Sequence, residues 1–276
     1  HKIKSVKVST TLKGVTTEKE VKYVITDTRM QVFLPQALSA KGGSVKIKID
    51  FSFVAPFEGS DRMGVLETKN GKIFTIAQWY PRMCVYDDIR GWNTNPYLGA
   101  SEFYLEYGEF DVSITAPSNH IVVASGELLN PTAVYSTVEQ KRLAQAKLSD
   151  KTVFIRTAAE VENSAKTAAT TTKTWNYKIK NSRDFSWSSS ASFILDAAKI
   201  NLPTGKKSLA ISAYPVESAG EKAWGRSTEY TKAAIEHYSK KWYEYTYPAA
   251  TNVAGNEGGM EYPGIVFCDY QSASEE

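Results

Sequence analysis

Between residues 44 and 53, apolar and polar side chains alternate without a break. The apolar positions are Val45, Ile47, Ile49, Phe51 and Phe53, and the residues between them are serine, lysine and aspartate. A period of two fits a strand with one buried face, because successive side chains of a strand point to opposite sides. Shorter runs of the same kind recur as far as about residue 130, so we predict a mainly β protein.

Local signals define two further elements. Within residues 66–79, Asn70 and Gly71 stand between Glu67-Thr68 and the run from Ile73 to Ile76, which predicts a tight hairpin. Ser136 followed three residues later by Glu139 is a capping box and predicts a short helix that ends near Ala146. The threonine-rich run at residues 168–174 is interpreted as a surface loop or an irregular edge.

The pattern changes near residue 205, where proline, glycine and two lysines interrupt it. We therefore predict one domain over residues 1–205 and the beginning of a second over residues 206–276. After a strand near Ile211, we predict a long helix capped by Ser218 that runs to about Tyr245. Its aromatic stripe is interpreted as core packing and consists of Ala223, Tyr230, Ala234, Tyr238 and Trp242.

Charge and composition exclude several function classes. The 33 basic and 30 acidic side chains give a net charge of only +3, so we predict neither a nucleic-acid partner nor a charged membrane surface. No run approaches the roughly 20 apolar residues of a membrane span. The two cysteines form no C-x-x-C pair. No signal peptide opens the chain, which leaves open an exported or periplasmic protein whose targeting segment was removed and a cytoplasmic one.

A glycine pair and a carboxylate stand near the end of the sequence. Gly258 and Gly259 allow backbone conformations closed to other residues and permit the close approach of another chain. Glu261 follows, and Pro263 biases Tyr262 towards an extended conformation. From these local properties alone, the segment is a turn that enters a buried strand, with Glu261 in solvent.

The same run, from Gly258 to Glu261, resembles the G-x-M-E-N exopeptidase motif of the M1 family of zinc metallopeptidases, the gluzincin aminopeptidases. Tyr262 stands where the family has asparagine. The run from Gln78 to Arg82 is similar to the family's Q-x-x-x-A-R segment, although its spacing differs and it has no alanine. The resemblance implies that the motif's glutamate binds the free α-amino group of a peptide. The substrate-binding residues implied in this way are Gly258, Gly259, Met260, Glu261 and Gln78.

The resemblance also implies an architecture, and it covers the whole chain. The expected fold is a mainly β, saddle-like amino-terminal sheet domain followed by the α+β beginning of a thermolysin-like catalytic domain. Zinc is implied for the parent protein, but this sequence has no H-E-x-x-H motif, and its histidines are His1, His120 and His237. We therefore expect a chain truncated before the zinc helix, inactive alone, whose parent removes amino-terminal residues from peptides.

Other functions stay open at this point. The chain could be a β-rich module that binds peptide or carbohydrate on an aromatic platform, or an M1-like scaffold that has lost its chemistry. The platform residues are Trp79, Tyr80, Trp92 and Tyr97. A copper site at His1 and a calcium site at Asp87 and Asp88 are weaker alternatives, because neither has supporting ligands in a recognisable spacing.

Overall fold

The computed structural model describes residues 1–12, 15–57, 61–100, 102–220 and 222–270. In chain order, the strands are β1 (Lys2–Leu12), β2 (Val15–Glu20), β3 (Tyr23–Thr26), β4 (Arg29–Val32), β5 (Lys46–Ser52), β6 (Met63–Thr68), β7 (Gly71–Ile76), β8 (Tyr86–Asp87), β9 (Gly91–Trp92), β10 (Gly108–Pro117), β11 (Ile121–Ala124), β12 (Glu127–Leu128), β13 (Val153–Arg156), β14 (Thr172–Ser182), β15 (Trp187–Ser190), β16 (Ile194–Asn201), β17 (Lys207–Tyr214), β18 (Ala249–Gly255), β19 (Met260–Tyr262) and β20 (Ile265–Asp269). The α-helices are α1 (Pro131–Val134), α2 (Thr137–Ala146), α3 (Ala158–Ala165) and α4 (Ser227–Lys241).

The chain divides into two compact units, each built from separated stretches of sequence. The first contains His1–Val54 and Arg82–Leu105, and the second contains Ala55–Pro81 and Glu106–Glu276. The boundary predicted near residue 205 lies inside the second unit, where β16 and β17 pair antiparallel on either side of it. The boundary near residue 205 between an amino-terminal domain and the beginning of a second domain stays a prediction.

The first unit is organised around the alternating strand. β5 pairs antiparallel with β1, and β1 also pairs with β2. Ile47 and Ile49 are half-buried opposite the buried Val8 and Val6, whereas the lysines of β5 are exposed. The alternation in the sequence therefore corresponds to a strand with one face half-buried beside β1 and the other face exposed to solvent.

The described residues of the second unit form three sheets. The largest has the strand order β13-β16-β17-β18-β20-β19, in which β17, β18 and β20 are mutually parallel neighbours and the other pairs are antiparallel. A four-stranded sheet has the order β11-β15-β7-β6, and a three-stranded sheet the order β10-β14-β12. Their inner faces share one core, which includes the fully buried Trp175, Phe193 and Phe267.

Local sequence signals were accurate for short elements. The predicted hairpin is β6–β7, and Gly71 at its turn has a φ of +137°. The predicted capping box begins α2, with Ser136 and Glu139 in reciprocal hydrogen bonds. The threonine-rich run is irregular only at its start, because β14 begins at Thr172.

The long helix begins later than predicted. Ser218 ends a one-turn 3-10 helix, and α4 starts at Ser227. The reason lies in two glycines between them: Gly220 has a φ of +137°, and its carbonyl accepts hydrogen bonds from the N–H groups of Ala223 and Gly225. This tight turn competes with a continuous helix, so α4 is shorter than the apolar pattern indicates.

The interpretation of the aromatic stripe as core packing was wrong. Tyr230, Tyr238 and Trp242 are 55%, 51% and 74% exposed. The buried residues of α4 are polar instead, namely Ser227, Thr228 and Ser239. The Thr228 hydroxyl donates to buried Asp196 at 2.5 Å. Within the described ranges, no helix is both long and apolar enough to cross a membrane.

Candidate functional site

Glu261 lies on a short hairpin at the edge of the largest sheet. β19 pairs antiparallel with β20, and Pro263 and Gly264 form the turn between them, with Gly264 at a φ of +76°. Alternation along the strand buries Tyr262 and leaves Glu261 exposed. The Tyr262 ring packs against Phe267 with centroids 5.6 Å apart, so tyrosine in place of asparagine anchors the hairpin in the core.

Open space borders the two glycines that precede β19. A Cβ atom added to Gly258 or Gly259 would meet no atom within 4 Å, and Gly259 has a φ of +119°. The backbone conformation at Gly259 therefore requires glycine, and the space beside both residues can admit another chain. β19 is also the outermost strand of its sheet, so one edge of its backbone has no neighbouring strand in the described sheet.

Glu257 stands immediately before this glycine pair and is buried, with 5% of its surface exposed. Its carboxylate accepts a short hydrogen bond from the hydroxyl of Thr75 in β7. The side-chain amide of Asn256, turned so that its nitrogen faces the carboxylate, lies 2.9 Å from Glu257 Oε1. Burial raises the pKa of Glu257, while the Thr75 hydrogen bond opposes that rise.

Gln78 follows β7 and has an unusual backbone conformation, with a φ of +50°. Positive φ is uncommon for residues other than glycine and persists only where the surroundings enforce it. The next two residues supply that constraint. The indole of Trp79 donates to the carbonyl of Phe185 at 3.1 Å, and the Tyr80 hydroxyl donates to buried Asp184 at 3.0 Å.

The two predicted parts of the site are thus linked through side chains. Thr75 precedes Gln78 by three residues, and Glu257 precedes Glu261 by four. Their hydrogen bond joins the strand that leads to Gln78 with the segment that leads to Glu261. Burial raises the pKa of the Cys268 thiol on the neighbouring strand, and the negative charge of the Glu261 carboxylate raises it further.

Sequence reasoning missed three residues that build this region. Thr75 and Glu257 carry no motif, and only the adjacency of Glu257 to the glycine pair could have indicated it. Asp184 lies in the short connection between β14 and β15 and likewise belongs to no motif. Its carboxylate receives the Tyr80 hydroxyl and the Phe185 N–H, so the segment supports the residues after Gln78.

The side chains of the described part of the chain do not assemble a zinc site, since no group of three histidine, cysteine, aspartate or glutamate residues is placed to hold a metal ion. His120 is within 2.9 Å of the Ser189 hydroxyl, and the ring of His1 packs beside Phe51 and Phe53. Asp87, the calcium candidate, accepts the N–H groups of the two residues Ile89 and Arg90, as a turn residue does.

The aromatic platform does not form as one surface of a single unit. Trp79 and Tyr80 belong to the second unit, where both are partly buried and hydrogen-bonded. Trp92 and Tyr97 belong to the first, with 54% and 49% of their surfaces exposed. The two partly buried members are engaged in packing and are not available as a flat binding surface.

The sequence matches no protein-family model, and no curated protein is significantly similar to it. Solved structures are similar in fold. They include a two-domain M1 zinc metallopeptidase variant bound to L-arginine (TM-score 0.55, 12% identity, 99% of this chain and 51% of that one). Another is an M1 zinc metallopeptidase variant from Deinococcus radiodurans bound to a Tyr-Ser-Ala substrate (TM-score 0.53, 13% identity, 99% and 51%).

A third is Legionella pneumophila aminopeptidase A in complex with aspartic acid (TM-score 0.53, 10% identity, 100% of this chain and 26% of that one). The chain spans about half the length of the M1 zinc metallopeptidases described above. The predicted fold class, mainly β strands followed by an α+β region, is confirmed by this similarity. The chain therefore has the fold of M1 zinc metallopeptidases over about half of their length, with the mainly β architecture of their amino-terminal domain.

Proposed function

We propose that this chain is the amino-terminal part of a zinc-dependent aminopeptidase and that it supplies the anchor for the free amino group of a peptide. The observation that carries the proposal is the setting of Glu261. Its exposed carboxylate lies on an edge strand, directly after two glycines that border open space. An ionised carboxylate is well matched to a cationic amine with several N–H donors.

The edge strand gives the rest of the peptide a place to bind. An extended peptide can add to an exposed sheet edge through main-chain hydrogen bonds, and the absence of side chains at Gly258 and Gly259 lets it approach closely. In this arrangement, Glu261 binds the terminal ammonium, and Gln78 adds a polar contact beside it. A blocked amino terminus would lose the charge-assisted contact, which restricts binding to chain ends.

The hydrolytic step is not assigned to the described residues, because they do not gather the ligands for zinc. The metal would be held by the remainder of the parent protein. We therefore expect no peptide cleavage by this chain alone, even with added Zn²⁺. Cleavage of a peptide by the purified chain in a zinc-containing buffer, abolished by a chelator, would contradict that expectation.

Titration of the isotope-labelled chain with the tripeptide Tyr-Ser-Ala and with its N-acetylated form tests the anchor. We expect amide chemical-shift changes at residues 258–262 with the free tripeptide only, and their loss in Glu261→Gln. Glu162→Gln, at an exposed glutamate on α3, is the matched control and should bind normally. Equal binding of the free and acetylated peptides would refute the amine anchor.

In the complete parent, Glu261→Ala should reduce aminopeptidase turnover about 10- to 100-fold, as expected for loss of a charge-assisted hydrogen bond. The melting temperature should stay close to that of the parent, because Glu261 is exposed. Unchanged turnover on substrates with a free amino terminus would rule out this role.

A further inference from the structure

The buried carboxylate of Glu257 is not accounted for by the amine anchor itself. A buried charged side chain is costly unless hydrogen bonds compensate for lost water, so its partners determine what it can do. Thr75, which is completely buried, donates its hydroxyl proton to Glu257, and the Asn256 amide faces the same carboxylate. All three groups come from the two segments that carry the proposed site.

The backbone around this contact leaves room for these side chains and little else. A Cβ atom on Gly255 would lie 2.6 Å from Glu257 Oε2 and 2.8 Å from Thr75 Cγ2. A Cβ atom on Gly64, in the strand paired with β7, would overlap the Asn256 side chain. Two glycines on different strands thus permit the close approach that the hydrogen bond requires.

The position of Glu257 in the chain gives the contact its importance. Between Glu257 and Tyr262 lie the two glycines, Met260 and Glu261, and nothing would contact a Cβ atom on either glycine. Tyr262 is held in the core through Phe267. Glu257 is therefore the last buried anchor before the glycine pair, and Tyr262 is the first one after Glu261.

We propose that Glu257, held by the Thr75 hydroxyl, is a positioning residue that fixes Glu261 relative to Gln78 in the amine site. The inference rests on the proposed function for its biological meaning. Its physical content is separate: without this hydrogen bond, the segment at residues 258–261 should become mobile while the rest of the sheet keeps its structure. Residues preceding and following the glycine pair would then no longer define one position for the Glu261 carboxylate.

The test compares Thr75→Val, which removes the hydroxyl at nearly constant shape, with Thr75→Ser, which retains it. Native-state amide hydrogen exchange is measured for both in the full 276-residue chain, with Tyr-Ser-Ala titrations alongside. In Thr75→Val we expect exchange at residues 258–261 to accelerate at least tenfold and tripeptide affinity to fall at least threefold. Residues in β16 and β17 should exchange as in the wild type, and Thr75→Ser should behave like the wild type in both measurements.

The outcomes separate the two proposals. Unchanged exchange at residues 258–261 in Thr75→Val overturns the positioning role, whatever the peptide does. Accelerated exchange with undiminished tripeptide affinity also overturns it, because the mobility would not matter for the site. If the wild type itself does not distinguish the free from the acetylated tripeptide, the amine anchor fails, and the contact is structural only. Glu257→Gln keeps an acceptor for the Thr75 hydroxyl and serves as the variant least disturbing to folding. Exchange at residues 258–261 should accelerate less in Glu257→Gln than in Thr75→Val.

Discussion

The hydroxyl of Thr75 donates a hydrogen bond to the carboxylate of Glu257, which is 182 residues further along the chain. The contact connects two sheets of the second unit, because Thr75 lies in the four-stranded sheet and Glu257 follows the fourth strand of the six-stranded one. It is therefore a tertiary contact between the end of β7, which leads to Gln78, and the segment between β18 and β19, which leads to Glu261.

Removing the Tyr80 hydroxyl should destabilise the second unit. Tyr80→Phe takes a donor from Asp184, a carboxylate that is only 1% exposed. We expect the free energy of unfolding to fall by about 1–3 kcal/mol, the typical cost of an uncompensated buried polar group. Tyr104→Phe is the matched control, since that hydroxyl donates to Asp87, which is only partly buried, and urea denaturation should show a much smaller change. Equal effects of the two variants would contradict the argument.

Gly126 should tolerate alanine far less well than Gly205. Both have positive φ, +89° and +82°, so both variants incur about 1–2 kcal/mol of backbone strain. A Cβ atom on Gly126 would also overlap the carbonyl oxygen of Lys178, whereas one on Gly205 would meet nothing within 4 Å. We expect Gly126→Ala to lower the free energy of unfolding by at least about 3 kcal/mol in total. Similar denaturation midpoints for the two variants would show that the close approach is absent.

The two tryptophans that flank α4 in the sequence, Trp224 and Trp242, should contribute unequally to stability. Trp224 is 6% exposed and donates from its indole to the carbonyl of Asp269 at 3.1 Å, whereas Trp242 is 74% exposed. We expect Trp224→Ala to cost about 3–5 kcal/mol and Trp242→Ala about 0.5 kcal/mol or less. Thermal unfolding followed by circular dichroism distinguishes them. A large loss in Trp242→Ala would instead support the original interpretation of the stripe as core.

Asp196 should make stability depend on pH. Burial raises its pKa to about 6, and the hydroxyls of Thr228 and Tyr214 only partly offset that rise. The folded state therefore binds this proton more tightly than the unfolded state, whose aspartate has a pKa near 3.8. Its stabilising contribution is present below about pH 4 and is lost as pH rises to about 6, by roughly 3 kcal/mol.

Asp196→Asn removes this titration. The difference in unfolding free energy between variant and wild type should move in favour of the variant from pH 4 to pH 7, measured by denaturant titration at each pH. Asp150→Asn is the contrasting control. Hydrogen bonds from Asn201, Lys199 and Lys232 lower the pKa of this exposed aspartate to about 2, so its variant should show no shift of that sign. A constant difference for Asp196→Asn would mean that its carboxylate is ionised throughout.

Elements with local causes were predictable from the sequence. The β6–β7 hairpin follows from Asn70 and Gly71, and the start of α2 follows from Ser136 and Glu139, because the determining atoms lie within a few residues of one another. The mainly β class follows from alternation. The start of α4 was missed because a turn at Gly220 competes with the helix, and its exposed aromatics were missed because a stripe does not indicate which face is covered.

The candidate site divides in the same way. Glu261 was found through a contiguous motif, and its exposure and its hairpin follow from the local alternation and the Pro263–Gly264 turn. Glu257 and Asp184 could not be found, since each is defined by a partner more than 100 positions distant. Both residues support the proposed site only through contacts that the tertiary structure creates.

The division of the second unit into two separated stretches has a consequence for how this protein forms. β7 hydrogen-bonds to β15 across 114 residues and reaches Glu257 across 182. Contacts between distant positions form slowly, because closing a long loop costs conformational entropy before the contacts contribute any favourable free energy. During synthesis, the β6–β7 hairpin can make its contacts with β15 and Glu257 only after most of the chain has been translated. The region around Gln78 and Glu261 should therefore be among the last to become ordered. We therefore expect that withdrawal of chaperones or a rise in temperature impairs peptide binding under conditions in which the rest of the molecule still folds.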